Sequence, residues 1–185
     1  MKLLVVIASI IMLPSLSACQ SDSGRYAKKI LENSPSPVNM NAGKDQYTVY
    51  LPDGWTTSSQ TYNEVDYYFL IAPQTADDPN TNINITTEYM QEMSLIEYVA
   101  GDKASIMKSV PGATMLDEGT ITADTCKGVW FRYTMDGEGV HATLISYVFP
   151  HKGVAYALTA GTQTKDAARY RPLFDKIASS LRFNP

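Results

Sequence analysis

The chain has 185 residues, 15 of them Lys or Arg and 19 Asp or Glu, for a formal net charge of −4. That length suits one domain with a hydrophobic core of its own plus an extension. A mildly acidic chain with no basic run excludes an electrostatic footprint for nucleic acid or anionic lipid headgroups.

At the N-terminus, Lys2 precedes an uninterrupted apolar run, Leu3 to Leu13, followed by Pro14 and small residues. A charged start, a short apolar stretch and small residues before a cut describe an export leader. The run is roughly half of the ~20 apolar residues that a membrane-spanning helix needs. Leu16-Ser17-Ala18-Cys19 matches the bacterial lipobox at every position. That resemblance implies cleavage between Ala18 and Cys19, diacylglyceryl transfer to the Cys19 sulfur, and acylation of the new amino group. Two or more acyl chains anchor stably, at about 0.8 kcal/mol per buried methylene. Gln20 stands where enterobacterial lipoproteins retained at the inner membrane carry Asp. By that rule the chain is expected on the outer membrane, facing the periplasm. Loss of Lys2 with the leader leaves 14 basic and 19 acidic residues, a charge of about −5.

The expected organisation is a leader over 1–18, the lipidated Cys19 with a tether to residue 45, and a domain over 46–185. Gln20 to Lys44 is rich in Ser, Asn, Pro and Gly, as in a linker. Tyr47 to Leu51 reads as a strand, stopped by the turn Pro52-Asp53-Gly54 before Trp55. Asp66 to Ala72 is a near-continuous apolar run, as in a strand covered on both faces, and Asn84 to Met90 is a further strand. Leu95, Ile96, Val99, Ile106, Met107 and Val110 recur at helical spacing, with Ser94 placed to cap a helix over Ser94–Val110.

A meander follows, with strands over Met115–Ala123, Cys126–Met135, Val140–Phe149 and Val154–Thr159, joined by Gly-, Asp- and Pro-rich turns. Ala155, Ala157, Thr159 and Gly161 share one face of the last strand, where small side chains let the next helix approach closely. That helix spans Thr164–Leu181, with Thr164 as N-cap. Its stripe includes Tyr170, Phe174, Ile177 and Leu181. Pro172 predicts a kink, or a short turn before a main helix starting near Arg171. The order predicts an α+β fold, a mostly antiparallel sheet with helices packed on it.

The strand entering Leu51-Pro52-Asp53-Gly54-Trp55, the middle helix, the four-strand meander and the closing Ile177-Ala178-Ser179-Ser180-Leu181-Arg182-Phe183 resemble the PsbP-like fold. Bacterial lipoproteins of the DcrB type share it. The resemblance covers residues 46–183 and implies an α/β/α sandwich. It also implies an accessory or assembly role, and it supplies no catalytic residues.

Bottom-up, the chemistry is sparse. There is no G-x-S-x-G elbow, P-loop or dinucleotide fingerprint. The histidines, His141 and His151, sit at hairpin ends and have no zinc-ligand spacing. With Cys19 acylated, Cys126 has no disulfide partner, and its place at the head of an apolar strand suits a buried, inert thiol. Asp78-Pro79-Asn80-Thr81-Asn82 begins like a calcium loop, but Ile83 stands at the glycine position and Tyr89 at the bidentate glutamate position. Neither a metal nor a cofactor is therefore expected. Tyrosines such as Tyr62, Tyr67, Tyr68, Tyr89 and Tyr98 are abundant; core packing is the first explanation for them and a recognition surface the second.

These readings lead to a non-catalytic envelope lipoprotein, held to the membrane through Cys19, that binds an envelope protein or lipid. A carrier of a small or hydrophobic ligand is the second expectation and a hydrolase the third. If the lipobox is used, Cys19→Ser leaves the precursor uncut by the lipoprotein peptidase and unlabelled by radioactive palmitate. Normal processing and labelling of that variant would refute the anchor.

Overall fold

The structure, a computed structural model, describes residues 40–42, 45–62, 65–137 and 139–184. Ala18, Cys19 and the tether up to residue 39 lie outside the described residues. Two short strands open the described chain, β1 (Met40–Ala42) and β2 (Asp45–Thr48). β3 (Thr56–Tyr62), β4 (Val65–Ile71) and β5 (Asn82–Tyr89) follow. Helix α1 (Leu95–Ser109) leads to the meander β6 (Thr114–Ala123), β7 (Cys126–Gly137), β8 (Val140–His151) and β9 (Val154–Gln163). Helix α2 (Ala167–Ser179) and β10 (Arg182–Phe183) close the chain.

Seven strands form one antiparallel sheet in the order β3-β4-β5-β9-β8-β7-β6, and β1-β2-β10 form a small second sheet. β9 is central, buried at eight consecutive residues, Ala155 to Thr162. Its side chains alternate between two apolar layers, so both faces need cover. Tyr156, Leu158 and Ala160 point into one layer with Phe174, Ile177 and Ala178 of α2. Ala155 and Ala157 point into the other with Tyr98, Val99 and Ile106 of α1. The result is the expected α/β/α sandwich.

Local chemistry accounts for the helix ends. Ser94 Oγ accepts from the Glu97 N–H at 3.3 Å while the Ser94 N–H donates to Glu97 Oε2 at 2.9 Å, a capping box that starts α1. Pro111-Gly112 ends it: Gly112 has φ +65°, and a Cβ there would lie 1.9 Å from the Asp136 carbonyl oxygen. α2 is held by Tyr147, whose hydroxyl donates to Asp175 at 2.7 Å, and by Arg171, which bonds Asp175 at 2.9 Å while lying 4.0 Å over the Trp130 ring.

Several expectations are corrected. Thr164 does not cap the last helix. Residues 164–166 form a 3-10 turn without a side-chain cap, the Thr164 hydroxyl accepts from Thr143, and α2 begins at Ala167 and runs through Pro172. Pro172 is the sixth residue of α2, past the first turn, so it removes the bond that its N–H would give the Ala168 carbonyl, and the helix continues regardless. Ala155 and Ala157 face α1, not the helix that follows them. β9 extends to Gln163, and β2 stops at Thr48 although Val49 is still buried. Met40–Ala42, inside the expected tether, pairs with β2.

Phe174 is 1 % exposed and Ile96 is 77 % exposed. Phe174→Ala should lower the unfolding free energy by about 3–5 kcal/mol. Ile96→Ala should change it by no more than about 0.5 kcal/mol. Urea titration of the two variants checks the layer assignment.

Candidate functional site

The residues singled out for chemistry do not converge. His141 is exposed on β8, its Nδ1 2.8 Å from the Asp136 carboxylate. His151 stacks face to face on Phe183, with centroids 4.1 Å apart, and its Nε2 is buried without a partner among the described residues. Cys126 is partly buried, and its thiol donates to the Pro150 carbonyl at 3.3 Å. Burial pushes that thiol's pKa up, which keeps it protonated and a poor nucleophile. Asp78, the head of the calcium-like stretch, is buried, and protein donors take its carboxylate. The Thr81 and Tyr170 hydroxyls each donate at 2.5 Å, and Arg169 stands 3.5 Å away. That carboxylate pins the loop before β5 to the start of α2.

A different region does concentrate unusual chemistry, on the α1 side of the sheet. The alternation of β5 puts Ile83 and Ile85 in the α2 layer and turns Asn82, Asn84, Thr86 and Glu88 to the α1 side. Register then builds a row across the strands: Ser58, Phe69, Asn84, Thr159, Ser146 and Phe131. α1 packs its apolar residues over β7, β8 and β9. On β4, by contrast, Tyr67 and Phe69 stack on each other, with centroids 6.3 Å apart, and belong to neither helix's cluster. Ser146 and Thr159 satisfy one another at 3.1 Å. Asn84, 1 % exposed, bonds to nothing: neither Oδ1 nor Nδ2 has a partner among the described residues. An unpaired buried amide costs about 1–3 kcal/mol, so its presence calls for an explanation.

One end of this face is acidic. Tyr98 on α1 donates its hydroxyl to Glu88 Oε2 at 2.8 Å, and Asp102 lies one turn further along the helix. Burial, and then the Glu88 charge, push the Asp102 pKa from 3.8 to about 6. Burial and Glu88 likewise push Tyr98 upward, so its hydroxyl stays a donor. Neither the Asn84 row nor the carboxylate pair was identified from the sequence. Asn84-Ile85-Thr86 looks like ordinary strand alternation, and Asp102 like a solvated helix position. Both become distinctive only once strand register and helix placement are known.

No family model matches this chain, and no curated protein sequence matches it. Solved structures do. LpqN of Mycobacterium tuberculosis, described as involved in cell envelope biogenesis, superposes with a TM-score of 0.60 at 15 % identity, covering 86 % of this chain and 96 % of that one. PA94 of Pseudomonas aeruginosa, of unknown function, gives 0.58 at 16 % identity over 70 % and 98 %. The solution structure of cyanobacterial PsbP from Synechocystis sp. PCC 6803 gives 0.53 at 15 % identity over 82 % and 100 %. At such identities the shared property is the fold, and it is the PsbP-like fold.

The Asp102 environment has a pH consequence. Its folded pKa lies above its unfolded value, so it adds stability below about pH 4 that is lost as the pH rises through about 6. Asp102→Asn should therefore raise stability at pH 7 by roughly 1–3 kcal/mol, with the gain vanishing near pH 4. Urea midpoints at both pH values check this. Equal effects at the two would place Asp102 in solvent.

Proposed function

We propose that the protein is a periplasm-facing lipoprotein, anchored to the outer membrane by acylated Cys19. It acts without catalysis, by binding a peptide segment of an envelope partner on the α1 side of its sheet. The observation that carries the reading is Asn84. A carboxamide presents one acceptor and one donor side by side, and a peptide group offers the matching N–H and C=O. Tyr67 and Phe69 beside it add rigid aromatic area; at 3 % and 9 % exposure they are buried like Asn84, so the partner reaches this face by displacing what covers it. Asn84 lies two strands in from the β3 edge, where Ser58 is half-buried and Gln60 exposed.

The envelope setting rests on the lipobox and on the shared fold with LpqN, whose description places that protein in envelope biogenesis. No helix among the described residues is long and apolar enough to cross a membrane, and the anchor reading requires none. The Cys126 thiol on a carbonyl and the exposed His141 favour binding over acyl transfer, which needs a base within reach of its nucleophile.

Complementation of a deletion strain separates the readings. Asn84→Leu should fold and yet fail to restore envelope integrity, while His141→Ala, His151→Ala and Cys126→Ala restore it. If Asn84→Leu complements fully, the binding face is misplaced. If a folded histidine or cysteine variant behaves like the deletion, an enzyme replaces the binding module.

A further inference from the structure

The two outer strands of the large sheet are treated differently. β6 is guarded: its pairing with β7 shifts between Met115 and Asp117, Asp117 bonds Arg132 at 2.7 Å, and Glu118 pairs with Lys103. A bulge and charges of this kind discourage pairing with another chain. β3 has none of these devices. Its seven residues, Thr-Thr-Ser-Ser-Gln-Thr-Tyr, carry no charge, proline or glycine, and they pair with β4 in unbroken register. Among the described residues no strand lies on its outer side, and Ser59, Gln60 and Thr61 are exposed.

We propose that the outer edge of β3 pairs antiparallel with β3 of a second copy of this chain, about a twofold axis at Ser59. The strand is nearly its own complement about that residue. Ser59 falls opposite Ser59, Ser58 opposite Gln60, Thr57 opposite Thr61, and Thr56 opposite Tyr62, so every cross-strand pair is neutral and hydrogen-bonding. The nearest charge among the described residues, Asp66, lies opposite Thr61 on β4, where its carboxylate accepts from the Thr61 hydroxyl at 2.6 Å. In the pair the two Asp66 side chains are three strands and four residues apart, about 19 Å. That is more than two Debye lengths at physiological salt, so the two acidic copies do not repel at the seam. A charged foreign peptide would lose this match. Seven paired residues bury less than the ~1,200 Å² of a stable complex, so the association is weak and is best trapped covalently.

The full-length chain in a Cys126→Ser background provides the test, by copper-phenanthroline oxidation of whole cells and non-reducing electrophoresis. Ser59→Cys should give a disulfide-linked dimer at least about tenfold more abundant than Thr122→Cys, an exposed position on β6. Thr61→Cys alone should stay monomeric, because its own copy is four residues, about 13 Å, away. Co-expressed Thr57→Cys and Thr61→Cys should form the mixed dimer. Crosslinking of Ser59→Cys no greater than that of Thr122→Cys, or of Thr61→Cys equal to that of Ser59→Cys, would overturn the proposal.

Discussion

Everything in this domain depends on the need of β9 for cover on both faces. With eight consecutive buried residues, it can satisfy its backbone only through β5 and β8, and its side chains only through a layer on each side. That requirement fixes where the two helices lie. α2, the next element in the chain, folds back on the Tyr156, Leu158 and Ala160 face. α1, inserted between β5 and β6, supplies the opposite layer, against Ala155 and Ala157. Small residues there let the helix approach closely, and the aromatic bulk of that layer comes from Phe131 and Tyr133 on β7.

The two layers are not equivalent. The α2 layer is closed, and polar groups in it are paired: Tyr147 and Arg171 with Asp175, and the buried Asp78 with Thr81 and Tyr170. The α1 layer is apolar only over β7, β8 and β9. A Ser146–Thr159 hydroxyl pair interrupts it on β8 and β9. Toward β4 and β5 it gives way to a stacked aromatic pair and to Asn84, whose carboxamide has no partner among the described residues, with the Glu88–Tyr98–Asp102 group at one end. A sequence under selection for stability alone would place an apolar residue at position 84, as it does at Ile83 and Ile85. Departures of this sort from the folding optimum are where function is usually found.

Much of the fold was legible in the sequence, and for identifiable reasons. Val129, Phe131, Tyr133 and Met135 alternate with Trp130, Arg132 and Thr134 because β7 is covered by α1 on one face and part-exposed on the other. Ser94 with Glu97 marks the start of α1 through a local hydrogen-bond pattern. Elements without such signals escaped. β3 is an edge strand with no buried stripe, so Thr56 to Tyr62 has no hydrophobic period, and β1 and β10 are too short to have one. Thr164 was misread because a threonine before a polar turn looks like a cap whether or not its hydroxyl is used elsewhere. The small residues of β9 were assigned to the wrong helix because period two says which residues share a face, not which helix covers it. The candidate site depends on register between β4, β5 and β9, and no single segment encodes that. The expected lipid anchor is the reverse case, read from Leu16 to Cys19 alone, which lie outside the described residues.

The central claim is that the Asn84 carboxamide is kept for a partner and not for the fold. The unfolding free energy of Asn84→Leu against the unaltered protein, by urea titration at pH 7, tests it most directly. The account predicts that the variant is more stable, by about 1–3 kcal/mol, because an unpaired buried amide is exchanged for apolar packing. A variant less stable by 1 kcal/mol or more would show that Asn84 is satisfied within the fold, and would contradict the account.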